Sequence, residues 1–334
     1  MRSGHISAKR LGLLCAAGLL LLISAFVLSL FVGKYPLSLA RLLAGDELQW
    51  RVFLTLRLSR SLIAVLGGFA LGAAGYVFQT VFRNPLAAPD MIGVSSGASA
   101  GAAFAILFLP AAAVTVTLSA FAGGLLAVGL ALGLASLAPG RGEGGIVLAG
   151  IAVHSLAQTA LMVLKLAADP ERQLASIEYW IMGSLSAVTL SRIPFYCLIC
   201  VLGLVGIFLL HRQIILLSVE ETEARMLGVA VGKLRLLILM LATLAVASVI
   251  SVTGVISFIG LLAPHIARQL TRDNRLSTLA LSGLLGGSLL TAADILARSA
   301  ASAELPVSIF TSLLGAPFLL YLILKGNGGG GIVA

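Results

Sequence analysis

The sequence predicts an all-α polytopic membrane protein with about ten transmembrane helices, and three observations carry that expectation. Of 334 residues, 59% are hydrophobic and only 10% charged, whereas about a quarter of residues are charged in soluble domains. Mean hydropathy is +1.10 over the whole length. The apolar residues come in continuous runs close to the ~20 residues that cross a ~30 Å hydrocarbon core, whereas a transmembrane β-barrel alternates polarity in segments of about ten.

The elements follow from those runs and their polar interruptions. Arg2, Lys9 and Arg10 precede a run from Leu11 to Val32. That run exceeds the roughly 7–15 residues of a signal-peptide core and has no clear cleavage site, so it reads as a retained first span over 11–33. Further spans are expected over 61–81, 92–109, 114–138, 146–167, 193–210, 234–253, 255–270, 276–297 and 306–325. An even count and a basic N-terminus place both ends in the cytoplasm. Inside segments then hold about 13 Lys and Arg and outside segments about 8, most of the latter between 34 and 60. In that anomalous outer segment Arg57 and Arg60 stand at the mouth of the second span, and Arg298 stands at the outer end of the ninth. Snorkelling to lipid phosphates and docking of an external partner both account for them. The 37 glycines are too many for loops alone. Gly68/Gly72, Gly93/Gly97/Gly101, Gly129/Gly133 and Gly283/Gly287 recur at the small-xxx-small spacing of helix contacts.

Little in the chain points to catalysis. The net charge of +9 comes from basic residues between apolar runs, which is a topology signal rather than a nucleic-acid surface. The segment from Gly228 to Lys233 lacks the glycine spacing and the following Ser or Thr of a phosphate-binding loop. His5, His154, His211 and His265 are scattered, and Cys15, Cys197 and Cys200 sit in apolar runs as buried thiols do. His154 and Gln158 share one face of the fifth span, widened by Ser155 and Thr159, which suits either a pathway lining or hydrogen bonding between helices. Asp294 and Arg298 stand four apart and pair locally on a helix. Between His211 and Arg235, Ser218-Val219-Glu220-Glu221 reads as a capping box opening a short helix that Gly228 closes. Its Glu220, Glu221, Glu223 and Arg225, with Leu217, Met226 and Leu227 as apolar points, suit docking on a soluble subunit.

Several strings, taken in order, resemble one family: Arg57-Leu58-Ser59-Arg60, Arg83-Asn84-Pro85-Leu86-Ala87 within the stretch Gln79 to Gly97, Leu148-Ala149-Gly150, and Trp180-Ile181-Met182-Gly183-Ser184-Leu185. They continue with Phe258 through Arg268, Ala292-Ala293-Asp294-Ile295-Leu296-Ala297-Arg298, Glu304-Leu305-Pro306 and Leu314-Gly315-Ala316-Pro317. The chain is similar, over nearly its whole length, to the iron-chelate and vitamin B12 permease family of ABC importers.

That resemblance implies a type II ABC importer permease fold in one transmembrane domain over 1–334. It implies a homodimer, or a pseudo-symmetric heterodimer with a second permease, together with two cytosolic ATPases that bind ATP and Mg, an external binding protein, and a bacterial inner-membrane location. No cofactor is expected in the chain itself, no ATPase motif of its own, and no nucleic-acid partner. Arg57, Arg60 and Arg298 correspond to basic sites that receive Glu side chains of the binding protein. Residues 217–229, including Ser218, Glu220, Glu221, Glu223, Arg225, Leu227 and Gly228, correspond to the coupling helices within the cytoplasmic segment 211–235. Gln79, His154 and Gln158 are assigned to the pathway, and Gly142, Glu143 and Gly144 to the cytoplasmic gate. The cargo implied is a bulky iron chelate, a ferric siderophore or heme, with cobalamin or an oxyanion such as molybdate as the alternative. Ser59 stands where the family usually has Pro, Arg272-Asp273-Asn274-Arg275 where it commonly has Gly-x-Asp-His-Arg, and Gly142-Glu143-Gly144-Gly145 where small hydroxyl residues are often found. The family's inverted repeat would relate the second to fifth spans to the seventh to tenth. A stand-alone channel or secondary carrier and an intramembrane enzyme are the competing readings; few ionisable groups fall within the spans, which disfavours a self-powered pump.

Overall fold

The computed structural model describes residues 7–110, 112–137, 143–186, 188, 193–219, 221–226 and 228–326. All regular elements among them are helical. In chain order they are α1 (Ala8–Phe31), α2 (Leu39–Leu43), α3 (Glu47–Val52), a π turn (Phe53–Leu58) and α4 (Ser59–Val81). A 3-10 turn (Pro89–Ile92) precedes α5 (Val94–Phe108), α6 (Ala113–Leu137) and α7 (Glu143–Ala167). A second π turn (Pro170–Leu174) leads into α8 (Ala175–Ile181), α9 (Ile193–Leu209), α10 (His211–Leu216) and α11 (Glu221–Met226). The chain ends with α12 (Val231–Thr253), α13 (Ile259–Thr271), α14 (Leu276–Ser299) and α15 (Val307–Gly326).

These bounds fall close to the spans expected from hydropathy, with two differences. Residues 47–58, expected as part of an outer loop, extend the second span so that Glu47–Val81 is one continuous helical segment. Among the described residues, six helices are long and apolar enough to cross a membrane, and three shorter apolar ones cover Val94–Phe108, Tyr196–Leu209 and Val307–Leu322. The eighth apolar run became α13, a helix of 13 residues with Pro264 inside it.

Two short helices share a cause. After α4 the chain runs irregularly to Gly93 before α5 starts, and after α12 it runs irregularly from Gly254 before α13 starts. Both halves thus repeat a long helix, an irregular stretch, a short helix and two further helices. The two irregular stretches meet across a cavity of about 250 Å³ lined by Pro89 and Asp90 from one and by Ile256, Ser257 and Phe258 from the other. Irregular backbone at membrane depth is tolerated only where protein or a cavity surrounds it.

One apolar core runs from Ile63 on α4 to Val307 on α15. At its centre α4 and α14 touch backbone to backbone. A Cβ on Gly68 would lie 2.3 Å from the Gly286 carbonyl oxygen, and one on Gly72 would lie 2.1 Å from that of Ser282. Gly97 and Gly101 make the same kind of approach to α6. Gly129 and Gly133, expected to pack likewise, have open space at their Cβ positions, so spacing alone overstated their role. The packing predicts that Gly68→Leu prevents recovery of a folded, monodisperse protein in detergent, whereas Gly129→Leu leaves size-exclusion profile and melting temperature nearly unchanged.

Candidate functional site

The sequence-expected residues gather at the two ends of the bundle. At one end, α1 finishes, α4 begins and α14 finishes, and this brings Arg57, Arg60 and Arg298 together with Lys34 and Glu304 around a cleft of about 170 Å³. The approach to it is locally built. Asp46 caps α3 by accepting from the Leu48 and Gln49 amides at 3.0 and 3.2 Å. Buried Gln49 accepts from the Ser38 amide at 3.1 Å, and the Trp50 indole donates to the Leu42 carbonyl at 2.9 Å. These bonds tie residues 38–50 to one another just ahead of the π turn that leads into α4.

Each arginine is held by a different device. Arg57 donates to the Val32 carbonyl at 2.6 Å and the Tyr35 carbonyl at 3.0 Å. Gly33 makes room for this, because a Cβ there would lie 1.6 Å from Arg57 Nη1. Arg60 Nε donates to Asp294 at 2.7 Å and its Nη1 to Glu304 at 2.8 Å. Arg298 donates to the Ser29 carbonyl at 2.8 Å and to the Ser29 hydroxyl at 2.6 Å, while its Nε stands 3.6 Å from Asp294. All three are buried within the chain, at 5%, 7% and 2% exposure, although they read in the sequence as outward cations. The reason is the dry surroundings: a buried cation needs a carboxylate and filled donor positions, and Asp294, fully enclosed between α4 and α14, supplies the charge. Even so, Arg60 Nη2 and Arg298 Nη1 have no hydrogen-bond partner within the described chain. The i, i+4 spacing showed the Asp294–Arg298 pair but missed the shorter bond from Asp294 to Arg60, and it gave no role to Glu304. Only distance in space reveals those two partners, which lie 234 and 244 residues from Arg60.

At the opposite end, α10 and α11 lie between α9 and α12. Gly228 closes α11 as expected, with φ +78 and its amide donating to the Arg225 carbonyl at 2.9 Å. The expected capping box is not formed by Ser218: its hydroxyl donates back to the Ile215 carbonyl at 2.6 Å and finishes α10 instead. Glu220 and Leu227 lie outside the described residues. Glu221 turns inward, holding Arg225 at 2.6 Å and buried Arg235 of α12 at 3.4 Å, with Ala224 buried beneath the helix. Glu223 and Met226 form the free outer face, Met226 being 87% exposed. Gly142 also lies outside the described residues; Glu143 begins α7, and Gly144 has open space at its Cβ position.

The three pathway residues separate. His154 and Gln158 lie on the half-exposed face of α7, beside exposed Ser155 and Thr159, whose hydroxyls donate to their own helix at 2.9 Å. Gln79 is buried and donates to the Leu261 carbonyl at 3.1 Å, so it joins α4 to α13 rather than facing open space. The structure adds Asp90 to the His154 face. It accepts from the Ser95 hydroxyl and lies within electrostatic reach of His154. The expected span began at residue 92, so Asp90 passed as a loop residue; the Pro before it and the glycine three residues after it were the available signal for a break at depth. Among the described residues, no three His, Cys, Asp or Glu side chains gather as a metal site would require.

Comparison with known proteins places this arrangement. The hemin transport system permease protein HmuU of Yersinia pestis is 36% identical over 92% of this chain and 94% of its own. The molybdate import system permease protein MolB of Haemophilus influenzae is 33% identical over 93% of this chain and 95% of its own. A solved structure of an inward-facing metal-chelate type ABC transporter superposes with a TM-score of 0.86, at 33% identity, over 94% of this chain and 99% of that one. The model of the FecCD transport family matches residues 20–325, and with whole-length relatives on every side the chain belongs to that family of multi-pass inner-membrane permeases.

Proposed function

We propose that this permease works as one of two copies in an importer powered by separate ATPases and loaded by an external binding protein. The observation that carries this reading is the cleft holding Arg57, Arg60 and Arg298 at one end of the bundle, opposite the end where α11 presents Glu223 and Met226. A pocket of guanidinium groups suits acidic side chains on a partner, because charge-assisted bonds to carboxylate are strong and directional. The arginine end is the outer one on this reading. The opposite end carries Arg83, Arg212, Arg225, Lys233, Arg235, Arg268, Arg272 and Arg275, which agrees with cytoplasmic loops being rich in Lys and Arg.

The mechanism is alternating access. The loaded binding protein seats on the arginine cleft, ATP draws the ATPase pair together, and α11 passes that motion to α12 through the Glu221–Arg235 contact. The half-exposed face of α7, with Asp90, His154 and Gln158, lines the route between the two copies. Cargo contacts there are weak, and affinity resides in the binding protein, so release follows opening. Relatives named for hemin and for molybdate frame the cargo. A bulky iron chelate, ferric siderophore or heme, is the reading adopted here, and cobalamin or an oxyanion is the alternative. Catalysis has no part in the chain's own role; ATP is hydrolysed on the partners.

Two outcomes check the two ends separately. Lys34→Glu with Arg57→Gln, which leaves the buried Arg60–Asp294 pair intact, lowers uptake by cells at least several-fold while the transporter is still recovered as a folded assembly, and undiminished uptake contradicts the docking role. Met226→Glu leaves binding-protein docking intact but lowers ATP-driven uptake in proteoliposomes at least several-fold, with ATPase recovery in pull-down falling in parallel.

A further inference from the structure

Docking on the arginine cleft leaves one of its groups without a task. Glu304 stands at the mouth, its side chain 35% exposed, and holds Arg60 Nη1 at 2.8 Å. Asp294 holds the same guanidinium from within and is fully enclosed. The two carboxylates differ in what can take their place. No outside group reaches Asp294, whereas Glu304 sits where an entering carboxylate would arrive.

Its position is fixed by the backbone around it. The connection between α14 and α15 is pinned by the Leu305 amide donating to the Ala297 carbonyl at 3.0 Å and by Lys34 Nζ donating to the Ser302 carbonyl at 2.6 Å. Just beyond, the Val307 amide donates to the Gly183 carbonyl at 3.0 Å. Glu304 is thus presented to the cleft by a tied segment rather than by a loose loop. Lys34, Arg57, Arg60 and Arg298 outnumber Asp294 and Glu304 there, so the cleft stays attractive to acid even with Glu304 in place.

We infer that Glu304 is an internal competitor for the docking site. It satisfies Arg60 while the cleft is empty and gives way to an acidic side chain when the external protein seats. The inference rests on the docking reading above. Its physical content is an exchange of one ion pair for another. Without Glu304 the resting cleft would keep Arg60 short of a partner in a poorly solvated site, a costly state that docking would relieve. With Glu304 in place Nη1 of Arg60 is already paired, docking gains less, and the partner dissociates readily. A transport cycle that must release its binding protein every turn needs that reversibility. The partner chemistry is a Glu or Asp on a rigid protein surface.

The test uses the complete transporter, with the ATPase and external protein that co-purify with it, in lipid nanodiscs. Affinity and dissociation rate of the external protein are measured for the native chain, Glu304→Gln, Arg60→Gln, the double variant, and Lys34→Glu with Arg57→Gln. Glu304→Gln should bind about three- to fivefold more tightly, chiefly through slower dissociation. That gain should vanish when Arg60→Gln is the background. Glu304→Asp, which keeps the charge on a shorter arm, should fall between native and Glu304→Gln. Unchanged or weaker binding by a folded Glu304→Gln transporter, or a gain that persists without Arg60, overturns the competitor role while leaving docking intact. Binding that ignores Lys34→Glu with Arg57→Gln overturns docking itself, and this inference with it.

Discussion

The bond between Arg60 and Asp294 governs how the arginine end of this molecule is built. Both groups are withdrawn from water in a bundle that is otherwise apolar, and an unpaired charge in that setting costs several kcal/mol even after relaxation. The pair therefore fixes the register of α4 against α14. That register is possible only because Gly68, Gly72 and Gly286 let the two backbones touch. Arg298 extends the same arrangement to α1 through Ser29, and Arg57 extends it to the outer segment through Val32 and Tyr35. Charge at one end and glycine at the centre are two halves of one packing solution.

The other end is built more lightly. α11 is six residues long, closed by Gly228, and held down by Ala224 and by Glu221 reaching Arg225 and Arg235. A helix this short has little stability of its own and keeps its shape through those contacts. It is anchored to the long α12, whose far end lies beside the irregular stretch from Gly254. A push on α11 thus has a rigid element to act through, leading toward the place where the two irregular stretches meet.

Most of the fold was legible in the sequence because hydropathy fixes what a bilayer accepts: the bounds of α5, α6, α7, α9, α12, α14 and α15 lie within a few residues of the apolar runs, whereas α8 matches none of them. What hydropathy could not show was where a helix begins outside the apolar run, as at Glu47, or where the chain breaks at depth, as around Pro89 and Asp90. The arginines of the cleft stood out in the sequence because they violate the expected charge asymmetry. The burial of Arg60 was not visible, since it depends on Asp294 and Glu304, 234 and 244 residues distant. Likewise Gln79 looked like Gln158 in the sequence, and only the approach of α13 to α4 shows that it bonds to Leu261 inside the bundle. Ser218 had a capping sequence, yet its hydroxyl found the nearer carbonyl of Ile215.

The central claim is that this chain moves cargo only as part of a larger ATP-driven machine. The most direct measurement is affinity purification from native membranes, with the stoichiometry of co-purifying chains, an absorption spectrum of any bound external protein, and uptake by the reconstituted material with and without ATP. The account predicts one ATPase per permease, uptake that stops without ATP, and, for a heme cargo, a Soret band on the external protein. A chain that purifies alone and still moves solute across liposomes would contradict it, and a channel or secondary carrier would take its place.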